Sequence, residues 1–369
     1  MPFLSDLLSI SSALDLDSLT GIFLVDAKAL DNLHVPPFSP EMPVLIMDIK
    51  STETAARLKT MLSTVYPPDH RVKLIYACGR ENQSVEEILS SEFDPTVRPE
   101  TVNALLIPPL PTGTAFEQFQ EIVAHLRAPD GCPWDKEQTH LTLRKHLIEE
   151  SYETLDALDA GNPEKMREEF GDLLLQIVLN AQIASECGEF TMTEVIKGIH
   201  DKIVRRHPHV FGDVVVNGVG NVLQNWEKIK AAERESRGDA EKGLLNGLPG
   251  ALPALSQAQE FQDRAARVGF DWPEIEGVLD KISEEIDEVR HASDQDELTA
   301  ELGDLFFALV NLARWKKIDA ESALRRTNRK FKGRFAYIEQ GSRQMGRTIE
   351  DLSLDEMEAL WQEAKRKVA

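Results

Sequence analysis

Glu149-Glu150-Ser151-Tyr152-Glu153 and, after a gap, Glu169-Phe170-Gly171-Asp172-Leu173-Leu174 are the stretch on which the reading of this chain turns. The same order returns as Glu284-Glu285-Ile286-Asp287-Glu288 and then Glu301-Leu302-Gly303-Asp304-Leu305-Phe306. Carboxylates three residues apart on a helix leave from one face, so Glu150 with Glu153 and Glu169 with Asp172 form two pairs on successive helices. The echo continues downstream. Lys202 and Arg206 are four apart, as are Lys330 and Arg334; Trp226 and Lys230 are four apart, as are Trp361 and Lys365. Four motifs in one order, in two halves of about 120 residues each, mark a tandem duplication.

Around these motifs the chain is almost wholly helical from Ala115 onward. Apolar residues recur at three- and four-residue spacing, as at Leu147, Tyr152, Leu155 and Leu158, and again at Phe170, Leu173, Leu174, Ile177 and Val178. Asn162-Pro163-Glu164 reads as a helix start, with Asn as cap and Pro in the first turn. A Gly/Pro-rich break between Arg237 and Pro253 separates the copies. The copies therefore span 115–237 and 253–369. Residues 1–112 differ: the apolar runs Gly21 to Val25, Pro43 to Met47 and Val72 to Ala77 read as strands, and Ser51 to Val65 as an amphipathic helix. This predicts a small α/β unit ending in a linker at Ile107-Pro108-Pro109-Leu110-Pro111-Thr112-Gly113.

The 369 residues include 63 acidic and 41 basic side chains, a formal charge of −22. Such acidity argues against binding nucleic-acid polymers, which needs a basic face. A phosphate-bearing substrate needs local basic residues or a metal ion that reverses the sign. Cys78, Cys132 and Cys187 stand far apart with no CxxC pairing, which excludes a legible zinc site, argues against a disulfide framework and fits a reducing compartment. The N-terminus lacks a signal-peptide pattern, and no apolar run approaches the roughly 18 residues that cross a bilayer. A soluble, cytoplasmic protein without membrane partners is expected.

If the paired helices pack antiparallel, four carboxylates converge in each half: Glu150, Glu153, Glu169 and Asp172, then Glu285, Glu288, Glu301 and Asp304. Two carboxylates about 4 Å apart already resist joint ionisation, and a hard divalent cation relieves them. Oxygen donors without Cys or paired His point to Mg²⁺ or Mn²⁺. An acidic helix face is more often plain solvated surface. Here Leu147, Ile148, Leu173 and Leu174, and Ile286, Val289, Leu305 and Phe306 in the second copy, set the acids at the edge of a core. The basic residues Lys202, Arg205, Arg206, Lys330 and Arg334 supply counter-charge for phosphate oxygens. Trp226 and Trp361, with Lys230 and Lys365 four residues on, suit a base and a phosphate; Trp361 also suits a core anchor for the last helix.

Gly131-Cys132-Pro133-Trp134-Asp135, the two acid motifs, Arg205-Arg206-His207-Pro208-His209-Val210-Phe211 and Trp226-Glu227-Lys228-Ile229-Lys230 resemble the first repeat of MazG-type nucleoside triphosphate pyrophosphohydrolases. Val268-Gly269-Phe270-Asp271-Trp272, Glu284 to Asp304, Asn328 to Phe335 and Trp361 to Lys365 resemble the second. The resemblance implies a mainly α protein with two all-α NTP pyrophosphatase domains, Mg²⁺ dependence, hydrolysis of nucleoside triphosphates to monophosphate and pyrophosphate, and a homodimer that completes a four-helix core. Glu149 and Glu284 then become candidates to orient or deprotonate the attacking water. The family's second repeat is the one usually credited with hydrolysis, yet both motif sets are intact here.

Leu24-Val25-Asp26-Ala27, Pro43 to Ile46, Val65-Tyr66-Pro67-Pro68-Asp69-His70 and Leu106 to Pro109 resemble the C-terminal half of a tetrapyrrole methylase domain. The half with the Gly-rich cofactor loop is not in this sequence. No S-adenosylmethionine is expected, and the segment reads as a remnant or the product of a misplaced start. Two other classes compete. A di-iron carboxylate protein is suggested by Glu288…His291 and Glu137…His140, but Asp156 stands where His291 repeats. A non-catalytic helical regulator would keep the acids for structure alone.

Overall fold

The computed structural model describes residues 21–49, 51–77, 82–93, 102–236 and 243–367. Cys78, residues 1–20 and the first part of the Gly/Pro-rich break, 237–242, lie outside the described residues. Strands β1 (Phe23–Asp26), β2 (Val44–Met47), β3 (Arg71–Tyr76), β4 (Ser84–Leu89) and β5 (Val102–Ile107) make one sheet in the order β1-β2-β5-β3-β4. β1 runs parallel to β2, and every other neighbour is antiparallel.

The three apolar runs fall on β1, β2 and β3. Helix α1 (Thr52–Leu62) starts at Ser51, whose hydroxyl accepts the Thr54 N–H at 3.1 Å. Its buried residues Ala55, Leu58, Met61 and Leu62 share one face and pack on Val44, Ile46, Leu74, Leu105 and Ile107. The alternate residues Leu45, Met47, Ile75, Ala104 and Leu106 form a second cluster. Alternation along a strand puts the two clusters on opposite faces, so β2, β3 and β5 are apolar on both sides.

Two further strands carry weaker signals. β4 includes Glu86 and Glu87, which an exposed edge tolerates; Arg71 meets Glu87 at 2.9 Å. Ile107, read from sequence as the start of a linker, is instead the fully buried last residue of β5, paired with Val44. The turn beyond is anchored. One Glu41 carboxylate oxygen accepts the N–H groups of Gly113, Thr114 and Ala115 at 2.7, 2.7 and 2.9 Å. Burial opposes the Glu41 charge, but those three donors outweigh it and hold its pKa below the usual carboxylate value.

The remainder is helical, making the chain mainly α: α2 (Phe116–Arg127), α3 (Pro133–Lys136), α4 (His140–Ala160), α5 (Pro163–Glu186), α6 (Met192–Arg206), α7 (Pro208–Phe211) and α8 (Val219–Ser236), then α9 (Ala254–Arg267), α10 (Ile275–His291), α11 (Gln295–Trp315), α12 (Ala320–Gln344) and α13 (Leu354–Lys367). α5 begins as the sequence suggests, with the Asn162 side chain accepting from Glu164 and Lys165 N–H. No helix among the described residues is long and apolar enough to cross a membrane.

Contacts divide the chain into two compact units. The first holds residues 1–151 and 170–195. Its helical core joins Val123 of α2, Leu143 of α4 and Val178, Leu179 and Ile183 of α5. Arg127 binds Glu186 at 2.7 Å and donates to the carbonyls of Asp135 and Gln138, which fixes the Gly-Cys-Pro-Trp-Asp turn. Gly131 is required there, because a Cβ would fall on the carbonyl oxygens of His125 and Leu126. The second unit holds residues 152–169 and 196–369. Gln262 of α9 donates to the Phe307 carbonyl of α11 at 2.8 Å, and Asp271 accepts from Arg314 and Trp315. Asp159, near the end of α4, receives both Arg325 and Arg329 of α12 at 2.9 Å.

Candidate metal and nucleotide site

α10 and α11 are joined by Ala292-Ser293-Asp294, and Asp294 caps α11 by accepting from Asp296 and Glu297 N–H. So short a link folds the helices back on each other. Glu285 and Glu288 of α10 and Glu301 of α11 then each offer a carboxylate oxygen within 4.8 Å of the others. Glu285 is only 3% exposed, and its Oε2 is buried without a hydrogen-bond partner. Its Oε1 meets Lys281 Nζ at 2.7 Å, while Glu284 takes the same ammonium at 3.0 Å. The two carboxylates, Glu285 first, hold Lys281 protonated well above its usual range. Burial and then the charges of Glu285 and Glu301 raise the Glu288 pKa, with Lys281 opposing them. A buried, unpaired carboxylate oxygen inside an all-oxygen donor set fits a hard divalent cation.

The first copy repeats this with a shift. Glu150, Glu169 and Asp172, all partly buried, lie within the same 4.8 Å. Position by position, Glu150 matches Glu285 and Glu169 matches Glu301. The third member differs: Asp172 joins in the first copy and Glu288, the match of Glu153, in the second. Glu153 and Asp304 are exposed and stand outside the triads, so each copy gathers three of its four acids. Glu149 and Glu284 are also exposed; His146, where the second copy has Lys281, lies 3.6 Å from Glu149.

The basic residues pair with the tryptophans in both copies. Arg206 lies over the Trp226 ring at 5.9 Å and Arg334 over Trp361 at 5.8 Å. Lys230 also covers Trp226, at 4.0 Å. Trp361 packs against Ile338, Leu352 and Leu360 and lies 5.4 Å from Phe331, so it anchors the last helix. The copies differ in their acids. Arg205 and Arg206 both bind Glu233 of α8 at 2.6 Å, and Arg206 foremost pulls the Glu233 pKa down to about 2. Arg334 has no ion pair among the described residues, and its Nε is buried without a partner. Lys202, Lys330 and Lys365 make no ion pair among the described residues, and none joins Lys330 or Arg334 to the second triad. Sequence reading overlooks Lys281 and Glu233. Lys281 stands four residues before Glu285, the spacing of a helical ion pair, whereas Glu233 has no motif around it.

Two copies of a helical unit, each with a carboxylate triad and an arginine stacked on a tryptophan, define a duplicated, carboxylate-site helical protein. The model of the MazG nucleotide pyrophosphohydrolase domain matches residues 138–211 and 274–338, one segment in each copy. The chain belongs to the MazG family. It is 45% identical over 253 residues to the nucleoside triphosphate pyrophosphohydrolase/pyrophosphatase MazG of Thermotoga maritima, covering 69% of this chain and 96% of that one. It is 44% identical over 258 residues to the nucleoside triphosphate pyrophosphohydrolase of Escherichia coli K12, covering 68% and 97%. YabN of Bacillus subtilis, described as uncharacterized, is 42% identical over 364 residues, covering 96% of this chain and 73% of its own. A match that long takes in the N-terminal sheet as well.

Proposed function

We propose that this chain is a Mg²⁺-dependent nucleoside triphosphate pyrophosphohydrolase, cleaving NTPs and dNTPs between the α and β phosphates, in nucleotide-pool housekeeping. The observation that carries the reading is the unpartnered, buried Glu285 oxygen within the Glu285–Glu288–Glu301 triad. Glu285, Glu288 and Glu301 would hold the ion, with Asp304 as the fourth ligand; in the first copy Glu150, Glu169 and Asp172 would do so, with Glu153. When bound, Mg²⁺, or Mn²⁺ in its place, offsets phosphate charge and lowers the pKa of a coordinated water.

Glu284, exposed beside the triad and steadied by Lys281, is the proposed base; Glu149 is its counterpart. Water oxygen bonds to the α-phosphorus, its proton passes to the carboxylate, and pyrophosphate leaves with the bridging oxygen. Lys330, Arg334 and Lys365 stabilise charge on the departing pyrophosphate, as Lys202, Arg205, Arg206 and Lys230 would in the first copy. Trp361 and Trp226 hold the arginines from the ring face and border the nucleotide. The Glu233 pair on Arg205 and Arg206 favours the second copy as the working site, since Arg334 bears no such partner.

The homodimer is supported by Ile286, Leu302 and Phe306, which flank the acids and are 37%, 37% and 57% exposed within one chain. A cytoplasmic location, without nucleic-acid or membrane partners, is supported by the −22 charge and the unpaired cysteine pattern. The organisation 1–112, 115–237 and 253–369 is supported by the two family segments. The methylase ancestry of the first segment rests on sequence resemblance alone. One observation favours a non-catalytic regulator instead: Lys281 already neutralises part of the triad. Magnesium-dependent release of monophosphate with pyrophosphate, lost in Glu285→Gln, supports the enzyme; release unaffected by that substitution refutes the site.

A further inference from the structure

Glu233 distinguishes the first copy's basic cluster from the second's. On α8 it stands seven residues after Trp226 and three after Lys230, so the three side chains leave one helix face. Its Oε1 accepts Arg205 Nε at 2.8 Å and Arg205 Nη2 at 2.6 Å. Its Oε2 accepts Arg206 Nη2 at 2.6 Å, while Arg206 Nε reaches Oε1 at 3.3 Å. Two guanidinium forks from adjacent residues of α6 thus close on one carboxylate, whose side chain is 12% exposed. Guanidinium groups brought this close repel unless an anion lies between them. Paired N–H donors on two oxygens are also the means by which arginine recognises phosphate.

The second copy repeats the arginine and the tryptophan but not the acid. Arg334 stacks on Trp361 as Arg206 does on Trp226, yet the residue seven after Trp361 is Val368, which lies outside the described residues and has no side-chain acceptor. The Nε of Arg334 is buried without a partner, whereas that of Arg206 is taken by Glu233. Position for position, one copy holds an acid on its arginine where the other leaves the donor open. The hydrogen bond from Arg206, before all else, pulls the Glu233 pKa down to about 2, so the carboxylate is an anion throughout the physiological range.

We propose that Glu233 is an autoinhibitory stand-in for phosphate, filling the cradle of Arg205 and Arg206 so that a polyphosphate binds the first copy only by displacing it. This role of Glu233 rests on that of Arg205 and Arg206 as phosphate-binding residues. A carboxylate brings two oxygens and one charge, and a polyphosphate brings more of both, so displacement is attainable but lowers the affinity of the first copy. The first copy is a latent site, alike in acids, arginine and tryptophan and closed by one residue of α8.

The test uses the full chain carrying Lys330→Gln and Arg334→Gln, which disables the second copy's phosphate contacts, titrated with pyrophosphate in metal-free buffer and followed by calorimetry. Adding Glu233→Gln should tighten pyrophosphate binding at least about tenfold, the factor a single charge-assisted contact supplies, and adding Arg206→Gln as well should abolish that gain. An ion pair that only ties α6 to α8 behaves otherwise: breaking it loosens the arginines and leaves binding unchanged or weaker. That result overturns the proposal, as does a gain that survives Arg206→Gln. Should Glu233→Gln fail to fold, Glu233→Asp, which keeps the charge but draws it back from the arginines, decides the matter: tighter binding supports the latch and unchanged binding refutes it. Magnesium-dependent pyrophosphate release from NTPs is measured on the otherwise unaltered chain; its absence would refute the enzyme and leave the Glu233 result standing.

Discussion

At Glu288 like charges are crowded together. This residue lies within 4.8 Å of oxygens of Glu285 and Glu301, and burial and those two charges lift its pKa. The geometry alone makes a prediction: Glu288→Gln removes repulsion and a ligand together. The metal-free variant should melt above the wild type near neutral pH, while its Mn²⁺ affinity, read by titration calorimetry, falls at least about tenfold. Equal melting temperatures, or unchanged Mn²⁺ affinity, would remove Glu288 from the site. Lys281 has the opposite part. Its ammonium, on Glu284 and Glu285 at once, lets a triad persist that would otherwise push itself apart.

At the scale of elements, α6 and α8 are tied by one acid. Glu233 accepts from Arg205 and Arg206, and its pKa of about 2 lies well below the ordinary 4.5. A depressed carboxylate stabilises the fold fully above its unfolded pKa, and that contribution fades as pH falls through the folded value. Glu233→Gln should therefore cost about 2 kcal/mol at neutral pH, discounted for the half-exposed Arg205. In denaturant titrations the gap to wild type should narrow steadily below pH 5 and nearly close at pH 2; a gap constant with pH would contradict the assignment. Elements also show what sequence disclosed. The α5 start at Asn162-Pro163 and the strand runs in β1 to β3 were legible because caps and apolar runs are local signals. β4 was hidden by Glu86 and Glu87, whose charges only an edge position explains, and Ile107 was masked by the prolines after it. In the acid motifs, spacing placed all four acids of a copy on facing helices; three in each copy lie within 4.8 Å of one another, with Glu153 in one and Asp304 in the other outside that distance.

Across the whole molecule, duplication is the organising fact. Arg206 on Trp226 and Arg334 on Trp361, residues that correspond in the sequence repeat, agree to within 0.1 Å. Of the acids behind the net charge of −22, six gather in the two triads, where the proposed function gives them a cation to hold. The apolar residues beside them remain exposed in one chain, the surface that the proposed homodimer would cover. Phe306→Lys should shift the protein from dimer to monomer in analytical ultracentrifugation and reduce turnover with it; a monomeric wild type would contradict this. The central claim concerns the triads as metal-dependent catalytic sites. It is tested most directly by measuring nucleoside monophosphate and pyrophosphate released from a panel of NTPs with Mg²⁺, for the wild type, Glu150→Ala, Glu285→Ala and the double variant. The account predicts equimolar products from the wild type, loss of most activity in Glu285→Ala and of all activity in the double variant; undiminished release from the double variant would contradict it.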